Sequence, residues 1–140
     1  SNLTERLLLY RELDNINKED ELALFQSKLR DRFGPLPIEV SELINVVRMR
    51  WAAMDLVFEK ITLKNNKMLS YFLSKQDSDY YNSPMFKAVL SYAQKTPKQT
   101  ALKKQNNKLW LTIENIKSVD EAIVVLEKIT SMVVKPVITP

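Results

Sequence analysis

The chain contains no histidine and no cysteine, so carboxylates are the first residues to consider for acid–base chemistry. Closely spaced acidic pairs include Asp77 with Asp79 and Asp120 with Glu121. The first pair lies in a polar stretch predicted to be a loop, and the second is accounted for by helix capping after Ser118. We predict that neither pair is catalytic. A hydrolase that works with carboxylates alone has only the presence of these residues in its favour.

Missing residue types exclude several other kinds of site. Without thiols and imidazoles there is no disulfide, no thiolate nucleophile and no usual set of zinc ligands. Gly34 is the only glycine, whereas the nucleotide-binding motifs GxxxxGK[ST] and GxGxxG each need at least two. No glycine follows Asp77 and Asp79 at the position that an EF-hand requires. The sequence therefore predicts a chain that is not an enzyme and holds no cofactor or metal.

Length and composition set the expected organisation. With 140 residues, of which 45% are hydrophobic, the chain suits one well-packed core, so we predict a single domain over residues 1–140. No apolar run approaches the roughly 20 residues that span a bilayer, and the start lacks a signal peptide's pattern. We expect a soluble, cytoplasmic, monomeric protein.

The charge of the chain is unevenly distributed. Residues 1–58 hold 8 basic and 10 acidic side chains, whereas residues 59–140 hold 13 basic and 7 acidic ones. Every arginine lies in the first part, so lysine alone carries the positive excess of the second. Lysine favours phosphates over base edges. A nucleic-acid phosphate-contact module is therefore an alternative function, although a solvated surface is the favoured explanation of this charge.

The first part of the chain, residues 3–58, is predicted to be helical. Apolar residues recur at helical spacing over residues 3–16, from Asn17 to Phe33 and from Pro37 to about Phe58. Asn17 is the expected N-cap of the second helix. Gly34 is expected to end that helix in a left-handed conformation, and Pro37 to open the third. The stretch 31–37 is thus a corner between two helices, and the three helices are expected to form one layer.

In the second part, residues 59–134, the hydrophobic period changes from 3.6 to 2. The pattern predicts two β-hairpins, over residues 60–74 and 101–113, with turns at Asn65-Asn66 and Asn106-Asn107. A helix capped by Ser83 follows the first hairpin, and a helix capped by Ser118 follows the second. We therefore predict an α+β fold, with a layer of three helices followed by two β-hairpin–helix units that form a mainly antiparallel sheet. The tail, residues 135–140, is expected to be frayed.

The aromatic residues allow two interpretations. Tyr71, Phe72 and Trp110 could form a stacking platform for single-stranded nucleic acid, surrounded by Lys103, Lys104 and Lys108, although aromatic residues on strands more often belong to the core. Tyr80 and Tyr81 are expected to be exposed, as tyrosines at protein interfaces are.

Four charged residues flank the corner between the second and third helices: Asp31, Arg32, Arg48 and Arg50. One interpretation is an ion-pair network that fixes the corner, which would contribute little stability if exposed. The other is a contact surface for a partner protein, because arginine is enriched at interfaces. Their spacing leaves the two interpretations evenly balanced.

The corner also carries a family resemblance. Glu5-Arg6-Leu7, the run from Leu29 to Pro37 and Arg48-Met49-Arg50 resemble the C-terminal (TRCF) domain of bacterial transcription-repair coupling factors, the Mfd family. The likeness is good over residues 3–55. Beyond residue 55, only the order of the predicted helices and strands supports it. Arg30 stands where the family usually has an aliphatic residue, and Lys28 where it can carry an acid.

The resemblance implies a piece of an ATP-driven DNA translocase that displaces stalled RNA polymerase and recruits the repair protein UvrA. In that family ATP binds elsewhere in the parent chain. The C-terminal domain is regarded as a regulatory clamp that docks on the UvrA-binding module of the same chain and holds the protein in an autoinhibited state. The resemblance makes Asp31 and Arg32 the first candidates for the docking surface, with Arg48 and Arg50 next.

Overall fold

The computed structural model describes residues 2–75 and 79–135, so the predictions for Asp77 and for the tail residues 136–140 lie outside the described residues. The elements, in chain order, are helices α1 (Asn2–Asp14), α2 (Glu19–Phe33) and α3 (Ile38–Asp55), strands β1 (Lys60–Lys64) and β2 (Lys67–Tyr71), a 3-10 helix (Asp79–Asn82), helix α4 (Pro84–Lys95), strands β3 (Thr100–Gln105) and β4 (Lys108–Glu114), and helix α5 (Val119–Ser131). The predicted α+β fold is confirmed.

The chain divides into two compact units, one ending at Arg48 and the other beginning at Met49. Helix α3 runs through this division, which lies ten residues before the end of the predicted helical part. The single domain over residues 1–140 stays a prediction.

The backbone at Gly34 determines how α2 ends. Its N–H donates to the Arg30 carbonyl oxygen at 2.8 Å, and its φ of 81° is positive, as expected. Its ψ of −159°, however, is extended rather than left-handed helical, and that combination is essentially restricted to glycine. The chain then reaches Pro37, which directly precedes α3 and whose carbonyl accepts from Val40 and Ser41.

We expect Gly34→Ala to destabilise the folded chain by about 1–3 kcal/mol. A Cβ at this position would meet nothing within 4 Å, so the cost comes from backbone strain and not from a clash. Urea unfolding followed by circular dichroism measures the loss. Ser27→Ala, an exposed position in α2, is the control and should leave stability unchanged or slightly raised. An equal response of the two variants would contradict the strain at Gly34.

The start of α2 differs from its prediction by one residue. Lys18, and not Asn17, occupies the N-cap position, and no side chain caps this end. The first turn instead carries Glu19, Asp20 and Glu21, which interact favourably with the positive end of the helix dipole.

The two hairpins form one antiparallel sheet of strand order β1-β2-β4-β3. Both Asn-Asn turns have positive φ at both residues, 53° and 59° in the first and 50° and 66° in the second. Such angles suit two-residue hairpin turns, because the backbone twist of a turn with these angles matches the twist of the flanking strands. The predicted turns are confirmed, and the pairing of β2 with β4 joins the hairpins at the centre of the sheet.

One face of the sheet is buried. Met68 and Ser70 of β2 and Leu111 and Ile113 of β4 are fully inaccessible to solvent. Apolar residues of the two following helices are buried in the same unit: Ala88, Val89 and Tyr92 of α4, and Ala122, Leu126 and Ile129 of α5. In β2 the buried residues alternate with less buried ones, so Met68 and Ser70 point to the same side of the sheet.

Helix α5 begins with the predicted cap. The Ser118 hydroxyl accepts a hydrogen bond from the N–H of Glu121 at 3.1 Å, and the Glu121 carboxylate accepts one from the N–H of Lys117 at 2.6 Å. The acidic pair Asp120–Glu121 therefore has a structural role at a helix terminus. Ser83 caps α4 in the same way, accepting from the N–H of Phe86 at 3.2 Å.

Several apolar residues that the helical periodicity placed inward are exposed. Leu22, Phe25 and Leu29 of α2 are buried as predicted, but Phe33, the last residue of that stripe, is 51% exposed. The remaining exceptions are Leu7 and Tyr10 of α1 and Met54 of α3. Periodicity assigns a residue to one side of a helix, but it does not show whether a neighbouring element covers that side along its whole length.

The prediction that Tyr80 is exposed is wrong. The 3-10 helix directs its ring inward, where 6% of the residue remains accessible and the hydroxyl donates to the Leu56 carbonyl at 3.0 Å. Burial raises the pKa of Tyr80 well above its ordinary value. Tyr81 is half-buried, donates to the Leu73 carbonyl at 2.9 Å and packs edge-on against Phe86.

Candidate functional site

Helix α2 presents an exposed stripe that ends near the corner. Leu24, Lys28 and Asp31 follow one another at i, i+4 and i+7, opposite the buried residues of the helix. Leu24 is 59% exposed. Among the residues that the structure describes, Asp31 makes no side-chain hydrogen bond or ion pair. Its carboxylate therefore faces solvent, ready to pair with a cation from outside the chain.

Arg32 belongs to a small cluster at the end of α2. Its guanidinium lies 3.0 Å from a carboxylate oxygen of Glu5 in α1 and 5.1 Å from the ring centre of Phe33. The Arg32 side chain is 62% exposed, so the ion pair contributes little to stability. The ion pair instead fixes the position of Arg32 and so holds a cation beside the exposed ring of Phe33.

Arg48 pairs with the other end of α2. Its Nη2 lies 2.7 Å and its Nε 3.2 Å from the two carboxylate oxygens of Glu19, a two-pronged geometry that arginine favours. Glu19 lies in the first turn of α2 and Arg32 in the last, about 20 Å away along the helix axis. The guanidinium of Arg48 therefore lies at the start of α2, away from the corner.

Arg50 is exposed on α3 and lies in the second compact unit. It follows Arg48 by two residues, which on an α-helix means about 200° of rotation. The two arginines therefore do not share a face of α3. Of the four predicted site residues, Asp31 and Arg32 are neighbours in the last turn of α2, Arg48 contacts its first turn, and Arg50 belongs to the second unit.

The Glu19–Arg48 pair should give a small, pH-dependent contribution to stability. Hydrogen bonds from Arg48 lower the pKa of Glu19 below its ordinary value of 4.5. Because this pKa is lowered, the ion pair stabilises the fold at pH values above the ordinary pKa of Glu19. The stabilisation is lost as the pH falls through the folded-state pKa. We expect Glu19→Gln to cost about 0.3–1 kcal/mol at neutral pH and nothing near about pH 2.

Glu21→Gln is the matched control for that measurement, because Glu21 is also an exposed acid in the first turn of α2. It reports the helix-dipole contribution without an arginine partner. Urea unfolding of both variants across the pH range separates the two effects. If the two variants lose equal stability at neutral pH, the ion pair contributes nothing.

A groove of about 610 Å³ opens within the first unit, between α1, α2 and the beginning of α3. Its walls are mostly apolar and include Leu9, Leu13, Leu29, Phe33, Leu36 and Leu43. Glu5, the partner of Arg32, lies at its edge. The corner thus combines exposed charge with accessible apolar surface.

Sequence reasoning missed two exposed apolar residues, Leu24 of α2 and Ile38 at the start of α3, which are 59% and 66% exposed. The signal for Leu24 was present, because the periodicity that buries Leu22, Phe25 and Leu29 directs Leu24 outward. We find no group of three or more acidic residues that could hold a metal ion within residues 2–75 and 79–135. In the same part of the chain, no helix has the length and apolarity needed to cross a membrane.

Comparisons with known proteins agree on one family. The TRCF domain family matches residues 1–83. The transcription-repair-coupling factor of Rickettsia typhi is 30% identical over 104 residues, which is 74% of this chain and 9% of that protein. The corresponding protein of Borreliella burgdorferi is 28% identical over 116 residues, 82% of this chain and 10% of that protein. The chain therefore spans about a tenth of these relatives.

A solved structure has the same fold. The crystal structure of a C-terminal domain of transcription-repair coupling factor superposes with a TM-score of 0.67, covering 93% of this chain and 81% of that one. The sequence identity is 15%, so this likeness establishes the fold alone.

Proposed function

Because the chain belongs to the TRCF domain family, the C-terminal domain of transcription-repair coupling factors, we propose that it regulates a larger DNA translocase by intramolecular docking. In this proposal, the domain binds the UvrA-binding module of the same parent protein and holds it in an autoinhibited state. ATP hydrolysis, removal of stalled RNA polymerase and recruitment of UvrA belong to the parent protein. The domain itself contributes binding and no chemistry.

The observation that carries the proposal is the exposed carboxylate of Asp31, which pairs with no other described residue and shares the exposed stripe of α2 with Leu24 and Lys28. An isolated surface ion pair is worth no more than about 1 kcal/mol, so charge alone would not hold two domains together. Apolar anchors usually supply most of the affinity at an interface. Leu24, which is 59% exposed on the same stripe of α2 as Asp31, supplies such an anchor.

Regulation requires that the docked state be favoured only modestly. A docked population of about 99% corresponds to a free-energy difference of about 2.7 kcal/mol, which competing contacts can overcome. A flexible tether gives an effective concentration on the order of 1 mM. The separated domain and module should therefore bind with a Kd of about 10 μM.

The test is a calorimetric titration of the 140-residue chain with the isolated UvrA-binding module of its parent protein. We expect saturable one-to-one binding with a Kd in the range of tens of micromolar or tighter. Duplex DNA is the parallel titrant, at two salt concentrations. The absence of binding to the module at about 1 mM would overturn the docking proposal, since tethering could not then produce a docked majority.

A further inference from the structure

The face of the sheet opposite α4 and α5 has an unusual composition. Strand alternation and register place thirteen residues on it. They are Lys60, Thr62 and Lys64 of β1; Lys67, Leu69 and Tyr71 of β2; Lys108, Trp110, Thr112 and Glu114 of β4; and Ala101, Lys103 and Gln105 of β3. We call this surface the open face. It faces away from Met68, Ser70, Leu111 and Ile113.

Lysine dominates the charge of the open face. All four strands contribute to its five lysines, and all five lysines are exposed. The single acid is Glu114, which lies 3.5 Å from the ammonium of Lys67. Positive charge therefore accumulates on one side of the sheet, where it is available to a polyanion.

One row across the sheet combines cations with aromatic rings. The register aligns Lys60 with Tyr71, Tyr71 with Trp110, and Trp110 with Lys103. The two rings lie 5.4 Å apart, and the Lys60 ammonium lies 5.5 Å from the centre of the Tyr71 ring. Neither ring is fully buried. At the usual strand spacing, the row spans about 14 Å.

A hollow of about 470 Å³ adjoins this row. Leu69, Trp110 and Thr112 line it, together with the lysines Lys67, Lys98 and Lys103. Lys98 comes from the loop between α4 and β3, so the positive border extends beyond the strands. A flat ring of a ligand can thus lie beside Trp110, while charged groups attached to that ring contact the lysines.

We propose that the open face binds single-stranded nucleic acid, with bases stacked on Tyr71 and Trp110 and phosphates held by Lys60, Lys67 and Lys103. Aromatic rings bind the unpaired bases of a single strand, whose faces are hidden in a duplex. Lysine contacts phosphates as a point charge and does not provide the fork that reads guanine edges. The binding is therefore tolerant of sequence and sensitive to salt. This function is independent of docking through Asp31.

The charge requirement is tested by fluorescence anisotropy of a labelled twelve-nucleotide oligothymidylate titrated with the 140-residue chain. The double variant Lys60→Glu/Lys103→Glu should weaken binding at least tenfold at about 50 mM salt, because it replaces two phosphate contacts by repulsion. The matched control is Lys87→Glu/Lys128→Glu, which makes the same charge change at exposed positions of α4 and α5. It should change the affinity less than threefold. Equal weakening by both double variants would overturn the proposal, since the binding would then reflect net charge.

The aromatic requirement is tested with Trp110→Leu, which keeps apolar volume on β4 and removes the stacking ring. We expect at least a fivefold loss of affinity, since stacking contributes on the order of 1 kcal/mol or more per base. The dependence of log K on log salt should keep its slope, about −2 for three phosphate contacts with a single strand. Thermal unfolding checks the fold of this variant. An unchanged affinity in folded Trp110→Leu would overturn the stacking role.

A duplex of the same length and an acidic polypeptide, polyglutamate, complete the test. Both share the negative charge of the oligonucleotide but offer no exposed bases. We expect each to bind at least tenfold more weakly than the single strand. Binding of equal strength to either would overturn the assignment to single-stranded nucleic acid and identify the open face as a general anion surface.

Discussion

Asp31→Lys should weaken binding of the chain to the UvrA-binding module at least tenfold, a loss of about 1.4 kcal/mol or more. The carboxylate is exposed and makes no ion pair with another described residue, so a partner cation can reach it without breaking an internal contact. Reversal turns that attraction into repulsion between like charges, which costs more than simple removal. Titration calorimetry of wild type and variant against the same module measures the difference.

The same substitution should leave the stability of the domain unchanged or slightly raised. Asp31 lies in the last turn of α2, where the helix dipole favours positive charge by about 0.3–1 kcal/mol. Affinity and stability are therefore expected to move independently or in opposite directions. Loss of the cooperative unfolding transition in Asp31→Lys would instead make Asp31 a structural residue.

Glu127→Lys provides the matched control for docking. Glu127 is an exposed acid on α5 in the second unit, and its reversal changes the net charge by the same amount. It should change the affinity for the module less than threefold. Equal losses from Glu127→Lys and Asp31→Lys would show that docking depends on overall charge, and the corner would lose its assigned role.

The local features of the fold were predictable because neighbouring residues encode them. The Asn65-Asn66 and Asn106-Asn107 turns follow from the tolerance of asparagine for positive φ. Ser118 and Glu121 form their cap within four residues of sequence. In each case the interacting groups are close along the chain, so the pattern itself specifies the geometry.

The interior of the second unit was harder to predict because it depends on distant contacts. The polar surroundings of Tyr80 suggested exposure, yet its ring lies near Phe72 and its hydroxyl bonds to the Leu56 carbonyl, 24 residues away. A hydrogen-bonded tyrosine can be buried at little cost. Whether a partner carbonyl will be present is not encoded next to the tyrosine.

The candidate docking surface shows the same limit. Sequence spacing grouped Asp31, Arg32, Arg48 and Arg50, because they flank a common corner. The structure separates Arg48 from Asp31 because α2 is 15 residues long and Arg48 bonds to its first residue. Prediction of the open face would have required knowledge of strand pairing between residues still farther apart in the sequence. Trp110 aligns with Tyr71 and Lys103 only once β4 has paired with both β2 and β3.

Phe72→Ala is the substitution with the largest expected effect on stability, a loss of about 3–5 kcal/mol. Phe72 is 2% exposed and lies at the centre of an aromatic cluster, with ring centres of Phe58, Phe86 and Tyr80 at 5.4, 5.3 and 6.3 Å. Removing the ring leaves a cavity among three rigid neighbours, which can collapse only partly. Aromatic pair interactions are lost in addition to the buried area.

Phe33→Ala is the matched control, because it deletes the same ring from a position that is 51% exposed. It should cost less than about 1 kcal/mol. Urea unfolding of both variants, followed by circular dichroism, gives the comparison. The loss expected for Phe72→Ala is a large fraction of the stability of a typical domain. This variant should therefore lower the urea midpoint of unfolding markedly or leave the second unit unfolded. Equal midpoints for the two variants would mean that the aromatic cluster does not form the core of the second unit.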